Sequence, residues 1–230
     1  MQIKSLLLLA ALAFAAATDS LHAQTTIFTD SFESPVLGAD DTFTSFNMPN
    51  WNKTGGAGGF GVEQLALSHF TAGQPRATDG LQVGFSNGGS QQFTQSLTGP
   101  NSLLTASTKY TLSIDIGDRI DTNFTGYQVR LYAGSTQVAF DNNTVSVPDG
   151  GWATSTVSYT SSAADPLVGQ TLKIEFDSLT AVQQGAETGA QTIYDNVKLT
   201  ATPAPEPSAM VLALVGSSLF TLRRTRQQAK

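Results

Sequence analysis

The sequence predicts an all-β protein folded as an antiparallel β-sandwich. Three observations carry that prediction. Apolar residues alternate with period two in several short runs, helical spacing is missing from the middle of the chain, and Gly, Thr, Ser and Asn punctuate it at short intervals. Strand and helix patterns do not alternate, which disfavours a parallel sheet, and no period of solenoid or propeller type is visible.

Taken in chain order, "TTIFTDSF" is a weak strand signal, and residues 40–61, with "NWNKTGGAGGFG", read as a long decorated loop. "LALSHFTAG" reads as a loop carrying His69, and "GLQVGF" as a strand. The clearest strand is "KYTLSIDIGD": Tyr110, Leu112, Ile114 and Ile116 share one face, and Thr111, Ser113 and Asp115 the other. "YQVRLYAG" groups Tyr127, Val129 and Leu131, so Tyr127 and Tyr132 are read as strand residues packed in the sandwich. "STQVAF" is weaker, "ATSTVSYT" is rich in β-branched and aromatic residues, and "LKIEFDSL" groups Leu172, Ile174 and Phe176. "SLTAVQQGAETGAQT" is a second long loop, and "TIYDNVKLTA" closes the domain, read as 24–202.

Both ends read as appendages. Lys4, the apolar residues 6–17 and Leu21-His22-Ala23 have the order of a secretory signal peptide cut after Ala23, giving a signal at 1–23. Between Gln24 and Pro205, seven Lys and Arg face sixteen Asp and Glu, a net charge of −9. Such a domain repels nucleic acid and anionic membrane surfaces, and tolerates a divalent cation. The absence of cysteine excludes disulfides, thiol nucleophiles and cysteine-ligated metals.

The C-terminal stretch 203–230 has its own logic. Residues 208–222 are fifteen apolar or small residues. As a helix they reach roughly 22 Å, short of a hydrocarbon core of roughly 30 Å. Arg223, Arg224, Arg226 and Lys230 follow at 223–230 and would stay cytoplasmic. With Pro205, Glu206 and Pro207 in front, "PAPEPSAMVLALVGSSLFTLRR" resembles the PEP-CTERM sorting signal of Gram-negative bacteria. That resemblance implies processing by an exosortase-type enzyme, a transiently inner-membrane-anchored precursor, and a mature protein at the cell surface or in an exopolysaccharide matrix. A second resemblance runs through "SFESP", "DGLQVGF", "QSLTG", "YTLSIDIGD" and "YDNVKL". Their order is similar to galactose-binding-like jelly rolls, the superfold of many carbohydrate-binding modules, and implies a jelly-roll connection of the sandwich.

The chemistry open to the chain is narrow. His22 leaves with the signal peptide, so only His69 remains, and neither a Ser-His-Asp triad with a G-x-S-x-G elbow nor a multi-histidine zinc site is available. Asp115, Asp118 and Asp121 in "DIGDRIDTN" lack EF-hand spacing and read as solvated acids. Asp195 alternates with Ile193, Val197 and Leu199, which points a carboxylate inward, and a buried carboxylate needs a cation or several hydrogen-bond donors. The jelly-roll resemblance implies a structural calcium held by Glu33 and Asp195; the alternative is an exposed Glu33 and an Asp195 that caps a turn. For sugar binding, Trp51 in its glycine-rich stretch and Trp152 beside a turn are the aromatic candidates, with Trp51 as a plug at one end of the sandwich as the alternative. The reading is therefore a non-catalytic exported surface or matrix protein that engages polysaccharide. Its alternatives are a glycan-active hydrolase using paired carboxylates and a purely structural matrix protein.

Overall fold

The computed structural model describes residues 23–204 apart from residues 57, 89 and 180–189. The signal peptide, Pro205-Glu206-Pro207, the apolar run and the Arg cluster lie outside the described residues. The compact unit is Gln24–Thr202. Its strands are β1 (Thr25–Asp30), β2 (Thr42–Phe43), β3 (Asn52–Thr54), β4 (Phe60–Gln64), β5 (Val83–Ser86), β6 (Gln91–Ser96), β7 (Thr108–Gly117), β8 (Tyr127–Ala133), β9 (Thr136–Asp141), β10 (Trp152–Thr160), β11 (Leu172–Ser178) and β12 (Thr192–Pro203). A seven-stranded sheet has the order β10-β7-β12-β5-β4-β2 with β1 also on β12, and a five-stranded sheet has the order β3-β6-β11-β8-β9. Partners run antiparallel, as in β10–β7 and β11–β8, so the predicted antiparallel sandwich is the observed architecture.

The core lies between the sheets, built by the predicted alternation. Tyr110, Leu112, Ile114 and Ile116 of β7 face Val129 and Leu131 of β8 and Ile174 and Phe176 of β11, all buried. Removing each such side chain from water contributes about 1.5–3 kcal/mol. Aromatic rings fill one end: Phe176 stacks on Phe93 at 5.2 Å and packs on Tyr194 at 4.5 Å.

Two expectations need correction, and one strand gave no signal. Residues 40–61 are not simply a loop, for β2, β3 and the start of β4 lie there. Those strands are too short to show a period and take their register from partners, Phe43 opposite Glu63 and Lys53 opposite Phe93. β6, "QQFTQS", has one apolar residue to signal it, the fully buried Phe93. Tyr132 does not pack inside: Tyr127 faces the core, while the Tyr132 hydroxyl donates to Glu175 on the outward face of the five-stranded sheet at 3.0 Å.

The seven-stranded sheet is covered on its outer face too. Residues 65–82 cross it as a strap, and Leu65, Phe70 and Ala77 of the strap meet Val83, Phe85 and Ile193 in a second apolar cluster. This explains why β5 is buried at every position.

Candidate active site

A bulge in β12 decides what lies under the strap. Asn196 adopts φ 47, which inserts an extra residue into the alternation. Tyr194, Val197 and Leu199 therefore face the sandwich core, and Ile193 faces the strap. The expected sharing of one face by Asp195, Val197 and Leu199 does not occur. Asp195 meets the strap instead. Its Oδ2 accepts the N–H groups of Thr78 (2.6 Å) and Asp79 (2.8 Å) and the Thr78 hydroxyl (3.0 Å), and its Oδ1 accepts the Asn196 N–H (2.7 Å). Glu33 Oε1 accepts the N–H groups of Leu81 and Gln82, both at 2.8 Å. Gly80, at φ 78 between them, is pressed on Glu33 so closely that a Cβ would collide with the carboxylate.

The two expected calcium ligands thus clasp one loop from its two ends, and the buried Asp195 is satisfied by donors. Burial still pushes its carboxyl up to about 7, against the pull of those bonds. A recess beside Glu33 is lined by Asp30, Ser31, Asp79 and Asn196, oxygen donors of the kind a hard cation takes. No three acidic or histidine side chains gather on one point among the described residues, so an ion there would draw further ligands from backbone carbonyls and water.

Trp51 offers no free face, and Trp152 is half-buried. Trp51 is 7% exposed: its ring stacks on Phe32 at 6.2 Å and meets Phe176 edge-on at 4.6 Å, and its indole N–H donates to Asp30 at 2.9 Å. The glycines that suggested an open loop follow the tryptophan, while the ring itself folds into the gap between the sheets. Trp152 stacks on Phe70 at 5.9 Å and donates its N–H to the Pro75 carbonyl at 3.0 Å. It pins the strap to the sheet, with Phe70 against one face of its ring.

The acids of "DIGDRIDTN" are not all solvated. Asp115 is 8% exposed and accepts from Thr154 and Asn196. Burial, reinforced by Asp149, raises Asp118 to about 6. Asp121 takes Arg119 in a two-toothed grip, Nε at 2.9 Å and Nη2 at 2.7 Å. His69 sits between Asp121 at 2.9 Å and Asp41 at 2.7 Å, fixing the loop after β7 to the strap and to the approach to β2.

The most unusual group in this network is Glu63 of β4, a residue the sequence reading did not single out. It lies on the outer face of the sheet, 6% exposed, opposite Phe43. Its Oε1 is buried without a hydrogen-bond partner among the described residues. Arg119 Nη1 comes only to 3.6 Å of Oε2. Burial lifts the carboxyl to about 7, and the opposing effect of Arg119 does not restore it. Phe43 meets Phe85 edge-on at 6.1 Å and is 62% exposed, so an open aromatic ring lies beside an acid whose carboxyl is raised to about 7 by burial. A sequence signal did exist: in "FGVEQL" an acid alternates with Phe60 and Val62 on a short strand. Its partners Arg119 and Gln191 are distant in sequence, so nothing local marked it.

The fold is thus an antiparallel β-sandwich with a desolvated carboxyl, Glu63, on the outer face of its larger sheet. Residues 23–200 match the family model of the HpiC1-like proteins, described as HpiC1 cyclase, and the chain belongs to that family. Solved structures agree. An apo-form cyclase from Fischerella sp. is 26% identical, with a TM-score of 0.66 over 79% of this chain and 98% of the other. The Stig cyclase Fisc from Fischerella sp. TAU, in complex with (3Z)-3-(1-methyl-2-pyrrolidinylidene)-3H-indole, is 26% identical, with a TM-score of 0.66 over 80% of this chain and 100% of the other. A cyclase from the same organism in complex with 4-(1H-indol-3-yl)butan-2-one is 26% identical, with a TM-score of 0.66 over 79% and 99%. No curated protein matches the chain. The expectation of a non-catalytic surface or matrix protein is overturned by this membership. It rested on the absence of a triad and of a metal motif, and a single buried acid needs neither.

Proposed function

We propose that the protein is a cyclase that closes a ring on an indole-bearing small molecule, with Glu63 as proton donor. The observation that carries this reading is the Glu63 carboxyl: buried, with one oxygen lacking a hydrogen-bond partner among the described residues, and raised to about 7. A general acid works best when its pKa lies near the operating pH. In the proposed reaction, Glu63 protonates the substrate's π system and an internal alkene closes on the resulting cation. The proton lost from the closed product returns to the carboxylate, so the product is an isomer of the substrate. Arg119 stabilises the carboxylate in the interval. The indole ligands of the Fischerella cyclases and the exposed Phe43 ring support the substrate class. Offered 3-substituted indoles with an alkene side chain, the protein is expected to give products of unchanged mass and new retention on liquid chromatography. It is also expected to bind 4-(1H-indol-3-yl)butan-2-one. Failure of both would remove the proposal.

Two further proposals concern the protein's setting. The first is that the C-terminal stretch is a sorting signal removed by an exosortase-type enzyme, supported by the order of Pro205-Glu206-Pro207, apolar run and Arg cluster. Mass spectrometry of surface-exposed protein from the native host should find that stretch missing, and an intact Lys230 there would refute it. The second is calcium at Glu33, supported by the oxygen-lined recess, with Asp195 holding Thr78 and Asp79 in place behind it. Saturation at a hundredfold excess over Kd would add about 2.7 kcal/mol. The melting temperature should rise with calcium, fall back with EDTA, and cease to respond in Asp195→Ala. A melting curve indifferent to both reagents would exclude the site.

A further inference from the structure

Two exposed phenylalanines stand at the β2 edge of the larger sheet, and they pack to opposite sides of it. Phe43 lies directly opposite Glu63 in the β2–β4 ladder, so the two side chains leave the same face, about 4.5–5.5 Å apart at Cβ. Its ring meets Phe85 of the strap-side cluster at 6.1 Å, close to perpendicular. Phe46 meets Phe60 at 5.6 Å, and Phe60 packs against the core between the sheets. Phe43 is 62% exposed and Phe46 66%. The two rings are alike in openness and differ in which face of the sheet they serve.

The row that holds Glu63 leaves little choice of ligand contact. Glu63 is 6% exposed, and Val83, its ladder neighbour on the other side, is 1% exposed. Phe43 is the residue of that row with surface to offer. Further exposed apolar residues belong to the segments around it. His69 bonds Asp41 at 2.7 Å and Asp121 at 2.9 Å, and its carbonyl accepts the Ile120 N–H at 3.1 Å. Each of the three segments joined there carries one: Phe43 two residues after Asp41, Leu67 two before His69, and Ile120 next to Asp121.

We propose that Phe43 receives the aromatic ring of the substrate and so selects aromatic over saturated ring systems. Its place in catalysis rests on the reading of Glu63 as proton donor; the ring contact itself does not. Aromatic rings pair offset-stacked or edge-to-face with centroids about 4.5–7 Å apart, and gain from that contact beyond the area they bury. A saturated ring of similar size gains the area alone. A ligand ring set on Phe43 at such a distance stands beside the next side chain of the row, which is Glu63. The buried Phe85 fixes the tilt of the Phe43 ring, so the ligand meets an oriented face at little cost in side-chain freedom.

The test is calorimetric titration of the full chain with 4-(1H-indol-3-yl)butan-2-one and with 4-cyclohexylbutan-2-one, which carries a saturated ring on the same ketone chain. The parent should prefer the indole ketone by about tenfold, and Phe43→Ala should weaken its binding by about tenfold and erase the preference. Phe43→Tyr should keep both, and Phe46→Ala should bind as the parent does. Phe43→Ala is expected to melt close to the parent, because the ring is mostly exposed. Should it not fold, Phe43→Leu, which keeps the apolar bulk without the aromatic face, carries the same expected loss of preference. A parent that does not bind the indole ketone, a folded Phe43 variant that retains affinity and preference within about twofold, or an equal loss in Phe46→Ala would overturn the proposal. Glu63→Gln separates the two readings. If it cyclises at the parental rate while Phe43→Ala loses binding, the ring contact stands and Glu63 is not the donor. If it loses cyclisation while Phe43→Ala binds normally, the donor stands and the ring contact fails.

Discussion

Replacing Glu63 by Gln is expected to stabilise the protein at pH 8 while lowering cyclisation by about 10²–10⁴, the range for loss of a general acid. The sign follows from the direction of the shift. The folded-state value of about 7 lies above the ordinary 4.5. The stability Glu63 contributes as a neutral acid is therefore fully present below about pH 4.5 and is lost as pH rises through about 7. Above that, a buried charge must be carried in the folded state, a penalty of about 3 kcal/mol at most for a shift of this size. Glutamine keeps the shape and cannot ionise. Urea denaturation at pH 4, 6 and 8 should thus show the variant level with the parent at pH 4 and more stable by up to about 3 kcal/mol at pH 8. Equal pH slopes for the two proteins would show that Glu63 is not the desolvated acid described above. A gain in stability joined to a loss of activity is the pattern of a group kept for function at the expense of the fold.

The second large effect is expected at Trp51, and it is structural. Trp51→Ala should destabilise by about 3–5 kcal/mol, the range for deleting a large buried aromatic. In a domain of this size, that lowers the melting temperature by about 10 °C. The indole touches Phe28, Phe32 and Phe176, and its N–H anchors Asp30, which also accepts the Phe32 N–H at 2.9 Å. Removing the ring opens a void at the end of the sandwich and leaves Asp30 without that donor. Trp51→Phe, which retains most of the ring packing and loses only the N–H, should fall between the two. If Trp51→Ala melted within 1–2 °C of the parent, about the effect of a surface substitution, the plug would have no basis.

The sandwich was legible because its long strands are half-buried, so burial on one face imposes a period-two pattern that the residues themselves display. Tyr110, Leu112, Ile114 and Ile116 needed no partner to be placed. β2, β3 and β6 were not legible, since two or three residues, or a lone Phe93 among glutamines and threonines, show no period until a neighbouring ladder supplies one. Asp195 was singled out for a sound reason, the cost of a carboxylate on an apolar strand. Yet an extra residue at Asn196 breaks the alternation, so Asp195 stays with Ile193 on the strap side while Val197 and Leu199 face the core.

What the sequence by itself determined was the layer architecture and the excluded chemistries: no thiol, no histidine triad, no zinc centre. Those follow from composition and local pattern. Where a desolvated acid lies was decided only in three dimensions. The Glu63 carboxyl is raised to about 7 because the packed structure buries it. Its charged neighbours, Arg119, Asp121 and Asp41, come from distant parts of the chain. Desolvation and charge neighbourhood are properties of a packed site, and alternation along a strand does not encode them.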